Sequence, residues 1–216
     1  MAVFNVESNG VGFSQDGRLR IRFENHVFLA NDYSFGTQNF ALGQNSSHFG
    51  TYFTFNTSSR TTGHRFDTTG NGDFDKGIFA EGMTSIHRTG TMADIDFQYQ
   101  AFELAKKLNE DAAYMAISSG VSQIMGFNYD KYGFSSAKEM FERMSRGIKE
   151  QIDMFFEFVE AKSELHNAFR SNTQTNRSTI SNQYNGWSIG SDGHANYMRK
   201  LDDSYTTVTD CPEFER

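Results

Sequence analysis

Cysteine and proline are almost absent from this chain, each occurring once in 216 residues. The lone Cys211, beside Pro212 near the C-terminal end, excludes a disulfide framework, argues against a thiol nucleophile and fits synthesis in a reducing compartment. No apolar run approaches the roughly 20 residues that a membrane span requires. No basic-then-apolar leader opens the chain, so membrane insertion is not expected and any export must be supplied from elsewhere. Positive charge is also short: 20 Lys and Arg against 27 Asp and Glu leave a formal charge of −7, the wrong sign for holding nucleic-acid phosphates. Metal signatures are missing too. The six histidines, His26, His48, His64, His87, His166 and His194, form no HExxH or paired spacing. The stretch Asp67 to Asp75 has some spacing of a calcium loop, but Ile78 stands where a bidentate Glu belongs. With no phosphate-cradling glycine loop either, no metal and no cofactor is expected.

What the chain has in quantity is aromatic bulk: 22 Phe and 9 Tyr, with 9 Met, make up for few branched aliphatics and supply one buried core. No internal repeat or linker divides it, so residues 1–216 are expected to form a single domain. Alternation from Arg18 to Leu29 puts Leu19, Ile21, Phe23, Asn25 and Val27 on one face, which predicts β structure over at least its first half. Residues 30–92 are rich in Gly, Ser, Thr, Asn and Phe and read as hairpins and long loops, with strand-like sequence at 48–57 and a turn-prone stretch at 68–73. Beyond them the chain turns helical. Helical spacing runs from Asp94 to Leu108 and continues from Asn109 to Ile117, and Ser136 with Glu139 has the form of a capping box opening a helix through Met144. Ile148, Ile152, Phe155, Phe156 and Val159 make an apolar helical stripe. A polar connector with a short helix follows over Asn172–Ser181, then a last amphipathic helix over Gly193–Val208 carrying Tyr197, Leu201 and Tyr205.

Three segments bear chemistry. Glu7, flanked by Phe4, Val6 and Val11 and followed by a glycine turn, would sit at a helix end facing a cleft; taken alone it reads as an ordinary surface carboxylate. In Ser118 to Gly126, small residues permit close backbone approach, and Gln123 offers the donor and acceptor that a sugar hydroxyl or N-acetyl group needs. The same segment would equally serve as a tight junction in the core. Tyr184 and Asn185, before Gly186 and Trp187, suit stacking on a pyranose face, or form a turn with a structural tyrosine.

Together and in this order the segments resemble the N-acetylmuramidase lysins of phages and bacteria. The resemblance rests on Val6-Glu7-Ser8, on the pattern D-G-R-x-x-I-x-F-E-x-H-x-F from Asp16 to Phe28, and on the run from Gly120 to Tyr129. That run is similar to the family's G-L-x-Q-I-M-G-F-N signature, itself related to a motif of goose-type lysozymes and lytic transglycosylases. Gln151-Ile152-Asp153, Tyr184-Asn185-Gly186, and Tyr197 with Lys200, Leu201 and Tyr205 extend it, so it covers roughly residues 3–29 and 93–206. The chain departs from the family's pattern at Ser119, where an aromatic is usual, and in residues 30–92, a Gly/Phe-rich insert longer than the usual connector.

The resemblance implies an α+β, mainly α, lysozyme-like fold with a small β region. It implies cleavage of the β-1,4 bond between N-acetylmuramic acid and N-acetylglucosamine, with Glu7 as the acid. Such an acid needs a dry pocket to raise its pKa, and a second group to activate water or steady the oxocarbenium-like state. Glu24 is the candidate for that second carboxylate, because Arg20 and Arg22 on its strand face would keep it ionised; the same residues equally make a plain sheet-surface ion pair. Asp16 is the weaker candidate, being what a hairpin turn would choose anyway. Ser118, Gln123, Met125, Tyr184 and Asn185 are the candidate substrate-binding residues. The expected partner is the peptidoglycan glycan strand. The chain should act as a monomer unless carried in a virion, made in the host cytoplasm and working on the cell wall or periplasm. Two alternatives stand beside hydrolysis: a lytic transglycosylase using the same cleft, and an inactive glycan-binding or virion structural protein.

Overall fold

The computed structural model describes residues 2–32, 50, 52–55, 64–67, 69 and 92–209. Among them the fold is mainly helical with two small antiparallel sheets, as the sequence led us to expect. The order is α1 (Ala2–Ser8), β1 (Ile21–Phe23), α2 (Asn25–Asp32), β2 (Phe53–Phe55), β3 (His64–Phe66), α3 (Met92–Leu108), α4 (Glu110–Met115), β4 (Ile117–Ser119) and β5 (Ile124–Met125). A 3-10 helix, Gly126–Tyr132, leads into α5 (Ala137–Met144), α6 (Ile148–Glu160), α7 (Ser163–Ala168), α8 (Gln174–Gln183) and α9 (Asp192–Thr209). β4 is central in a three-stranded sheet, pairing Ile21 with Ser119 on one side and Met125 with Ser118 on the other. β2 and β3 form a separate hairpin.

Two cores hold the helices. In the first, Phe23, Phe28, Phe53, Phe66 and Phe102 are fully buried. Phe53 lies 5.4 Å from Phe23 and 5.0 Å from Phe28 between ring centroids, so phenylalanine here fills the space that aliphatics usually take. The second core gathers Val3 and Phe4 of α1, Phe155 and Val159 of α6, Leu165, Ile180, and Tyr197 and Leu201 of α9. Val121, at the tip of the β4–β5 hairpin, also belongs to it, so this hairpin reaches from one core into the other.

Local chemistry explains where elements stop. The strand expected from Arg18 ends at Phe23, because the Glu24 carbonyl accepts from the amides of Val27 (3.0 Å) and Phe28 (3.1 Å) and turns the chain into α2. Asn25 and Val27 are buried as the alternation implied, but on a helix. The Asn25 amide donates to the carbonyls of Thr54 (3.0 Å) and Arg65 (2.6 Å), tying the β2–β3 hairpin to α2. Asn109 interrupts the expected helical run by accepting from the Ala112 amide as an N-cap. Ser136 caps α5 from the Glu139 amide, and the Glu139 carboxylate closes back onto the amide of Ser135.

The α6 stripe is rotated from the one predicted. Phe156 and Ile148 are about half exposed, while Met154 and Gln151 are buried beside Phe155 and Val159. An apolar count could not find that face, since its centre is an amide. Most of residues 30–92, the turn-prone stretch at 68–73 apart from Thr69, and Cys211 lie outside the described residues. No helix among the described residues is long and apolar enough to cross a membrane.

Candidate active site

α1 ends in a wide left-handed turn: the Gly10 amide donates to the Phe4 carbonyl six residues back (3.0 Å), and Asn9 and Gly10 take positive φ of 54° and 72°. This halts the helix with Glu7 in its last turn. Ser8 anchors that end by donating to the Val121 carbonyl at the hairpin tip (2.7 Å), and Arg20 Nη1 donates to the Ser8 carbonyl (3.2 Å).

The hairpin tip is fixed from below by Gln151. Its Oε1 accepts from the Val121 amide (2.8 Å) and its Nε2 donates to the Met144 carbonyl (3.1 Å). Gly12 lies so close that a Cβ there would fall 2.1 Å from Gln151 Oε1, which accounts for glycine at that position. Gln123 takes a positive φ of 49° to close the turn, donates to the Gly120 carbonyl (2.9 Å) and accepts from Ser118 Oγ (3.0 Å). Tyr184 reaches the same tip by donating to the Ser122 carbonyl (2.6 Å).

Glu7 is half-buried where these elements meet α9 and the turn after α8. Tyr197 Oη donates to Glu7 Oε1 at 2.5 Å, and Asn185 Nδ2 donates to the same oxygen at 2.9 Å. Burial pushes the Glu7 carboxyl above its ordinary range, against the opposing pull of these two donors and of the Arg22 and Lys200 charges. Because both donors address Oε1, the proton of the neutral acid belongs on Oε2. Tyr197 and Tyr184 are held far above the ordinary phenol range, chiefly by burial, so both remain donors.

Two cavities meet at Glu7, Arg22 and Asn185. One, of about 170 Å³, is lined further by Gln123, Ile124, Met125, Asn128, Tyr132, Phe158 and Tyr184. The other, of about 240 Å³, is lined further by Trp187, Asn196, Tyr197 and Lys200. Together they form a cleft with an acid at its waist. Residues 1–209 match the model of the N-acetylmuramidase family. The chain belongs to that family.

Among solved structures, this muramidase-family chain is similar to the phage endolysin of Burkholderia phage AP3. The TM-score is 0.59 at 23% identity, over 97% of this chain and 64% of that one. At that identity the likeness is one of fold, and the chain spans just under two thirds of the endolysin's length. No curated protein matches it.

The structure brings together Glu7, Gln123, Met125, Tyr184 and Asn185 of the residues singled out from sequence. Ser118 is fully buried behind the cleft, where it supports Gln123. Glu24 lines neither cavity: it is buried, with Oε1 2.7 Å from Arg22 Nε, and it is Arg22 that reaches the cleft. Asp16 lines neither as well, and its carboxylate pairs with Arg18 at 2.6 Å. From sequence, Arg22 was expected only to keep Glu24 ionised, and no role fell to Asn128, Tyr132, Phe158, Trp187 or Asn196, or to the contact of Tyr197 with Glu7. Tyr197 carried a signal, since it lies on the buried stripe of the last helix, where a phenol needs a polar partner.

Proposed function

We propose that this chain hydrolyses the β-1,4 bond between N-acetylmuramic acid and N-acetylglucosamine in peptidoglycan, with Glu7 as general acid. The observation that carries this reading is one carboxyl, its pKa raised by burial, oriented by two donors on a single oxygen, and set where two cavities join. A glycosidic oxygen placed against Oε2 would receive the proton as the bond to the anomeric carbon breaks. Gln123 and Asn185 offer amides for hydroxyl and N-acetyl groups. The rings of Tyr184, Tyr132 and Trp187 offer faces for pyranoses.

Among the described residues no second carboxylate lines either cavity. Glu24 is therefore assigned a positioning part: buried beside Arg22, it fixes the guanidinium that faces Glu7. Having lost its proton, Glu7 is also the acceptor for the second half of the reaction. It can take a proton from water, or from the muramyl C6 hydroxyl as a transglycosylase would. The endolysin reading is supported by family membership and by the likeness to a phage endolysin. The chain would be made in the host cytoplasm, act on the wall as a monomer and work as one unit.

Digestion of purified peptidoglycan followed by mass analysis of the muropeptides tests the proposal. Reducing muramic ends are expected from the wild type, with a loss of about 10²- to 10⁴-fold in Glu7→Gln. Glu24→Gln is expected to keep the products and lose about tenfold, the effect of a group acting through Arg22. Anhydro-muramic ends would instead identify a transglycosylase, and no products from the wild type would overturn the enzymatic reading.

A further inference from the structure

The two cavities that meet at Glu7 differ in charge. The smaller is lined by amides, rings and Met125, with Arg22 at its edge. The larger adds Lys200, which lies one turn beyond Tyr197 on α9 and so shares the face that meets Glu7. Of the two cations, Arg22 is committed to the buried Glu24 carboxylate at 2.7 Å. Lys200 is exposed and enters no ion pair among the described residues, in a chain whose formal charge is −7. Once Glu7 is protonated, this cavity carries a cation and no anion. An acidic protein that leaves a free ammonium inside its cleft is complementary there to an anionic substituent.

The proposed substrate alternates two sugars of different charge. N-acetylglucosamine is neutral, while the muramyl residue bears an O-lactyl group whose carboxylate is free when no stem peptide is attached. When a stem is attached, carboxylates lie farther out along the peptide. Building on the functional reading above, we propose that the Lys200 cavity is the subsite for the muramyl residue, with the Lys200 ammonium as counter-ion to its carboxylate. The muramyl ring then occupies this cavity and the glucosaminyl leaving group the smaller one. Charge thereby contributes to selecting which of the two alternating bonds lies against Glu7.

The only tryptophan of the chain gives a direct readout. Trp187 lines the same cavity, its ring laid on the Gly193 backbone so closely that a Cβ there would fall 2.3 Å from it. Glu7→Gln, which lacks the acid and so leaves the strands intact, can be titrated with glycan strands while Trp187 emission is followed. The strands are of three kinds: stripped of stem peptides, stripped and then methyl-esterified at the lactyl carboxyl, and stem-bearing.

With Lys200 present, esterification is expected to weaken binding about fivefold, the scale of one solvent-exposed ion pair. In Glu7→Gln with Lys200→Gln, stripped and esterified strands should bind alike, and Lys200→Arg should restore the difference. Tighter binding of stem-bearing than of stripped strands would place the paired carboxylate on the peptide; the reverse order would place it on the lactyl group. The proposal is overturned if charge on the strand makes no difference to binding. It is overturned equally if Lys200→Gln weakens charged and neutral strands by the same factor, or if no strand alters Trp187 emission. None of these outcomes depends on turnover, so a failure here is distinct from a wild type that releases no muropeptides.

Discussion

Removing one hydroxyl group, that of Tyr197, tests how the acid is controlled. The phenol donates to Glu7 Oε1 at 2.5 Å, and this bond is stronger to the ionised carboxylate than to the neutral acid. In the wild type it therefore opposes the burial that lifts the Glu7 pKa. Tyr197→Phe keeps the ring in the second core and deletes only that opposition, so the Glu7 pKa must rise further. A hydrogen bond to a charged group contributes about 1.5–3 kcal/mol, and Asn185 remains on the same oxygen to recover part of it. A net change of about 1.4 kcal/mol corresponds to one pH unit. A general acid works only while protonated, so activity falls as pH rises through its pKa. The alkaline limb of kcat/KM against pH should accordingly move up by about one unit in Tyr197→Phe, while the plateau drops about tenfold because Oε1 has lost its firmest tether. Initial rates of reducing-end release from peptidoglycan, measured across pH, supply the profile. A limb that stays in place or moves down would refute the reasoning, since either Glu7 would not be the titrating acid or Tyr197 would not be bonded to it.

Gln151→Leu strands the Val121 amide and the Met144 carbonyl in the protein interior, which should cost about 2–4 kcal/mol in denaturant unfolding; activity should fall with it, because the hairpin tip holding Gln123 loses its support. Glu7→Gln should instead stabilise the protein, and the sign is set by linkage. The folded pKa lies above the unfolded one, so the native state binds more protons between the two values and stability declines as pH rises through that window. The amide escapes this penalty, and its gain, about 1 kcal/mol, should appear in Tm at neutral or higher pH and vanish below the ordinary carboxylate range.

The helices were readable from sequence where one face was apolar and a capping residue marked the end. α3, α5 and α9 lie within two residues of where spacing and caps put them. Reading failed where polar side chains do structural work inside the fold. The Glu24 carbonyl and the Asn25 amide convert an apparent strand into α2, and period-two alternation cannot register a carbonyl that changes its partner. Gln151 occupies the centre of the buried face of α6, so the apolar stripe pointed to Phe156 and Ile148, both about half exposed. For the site, the residue types of Glu7, Gln123, Tyr184 and Asn185 and the family resemblance were enough to select them. Their division of labour was not visible, because Glu24 and Arg22 are neighbours in sequence and only the fold shows that the arginine faces the cleft while the carboxylate stays buried behind it.

Glu7 and its two donors are separated by 178 and 190 residues, so this arrangement exists only when α1 is docked against α9 and the turn after α8. That docking is the work of the second core, where Phe4 and Val3 meet Phe155, Tyr197 and Leu201. The same packing that brings Tyr197 to Glu7 also withdraws the carboxyl from water, which is the main cause of its raised pKa. Orientation and protonation therefore have one structural source. Loosening the second core lets water reach Glu7, its pKa falls toward the ordinary carboxylate value, and the acid ionises at a lower pH than before. Damage to this core should consequently be felt as a narrowing of the active pH range from the alkaline side before it is felt as unfolding, because the phenylalanine-rich first core, on the other side of the β4–β5 hairpin, continues to hold the rest of the chain.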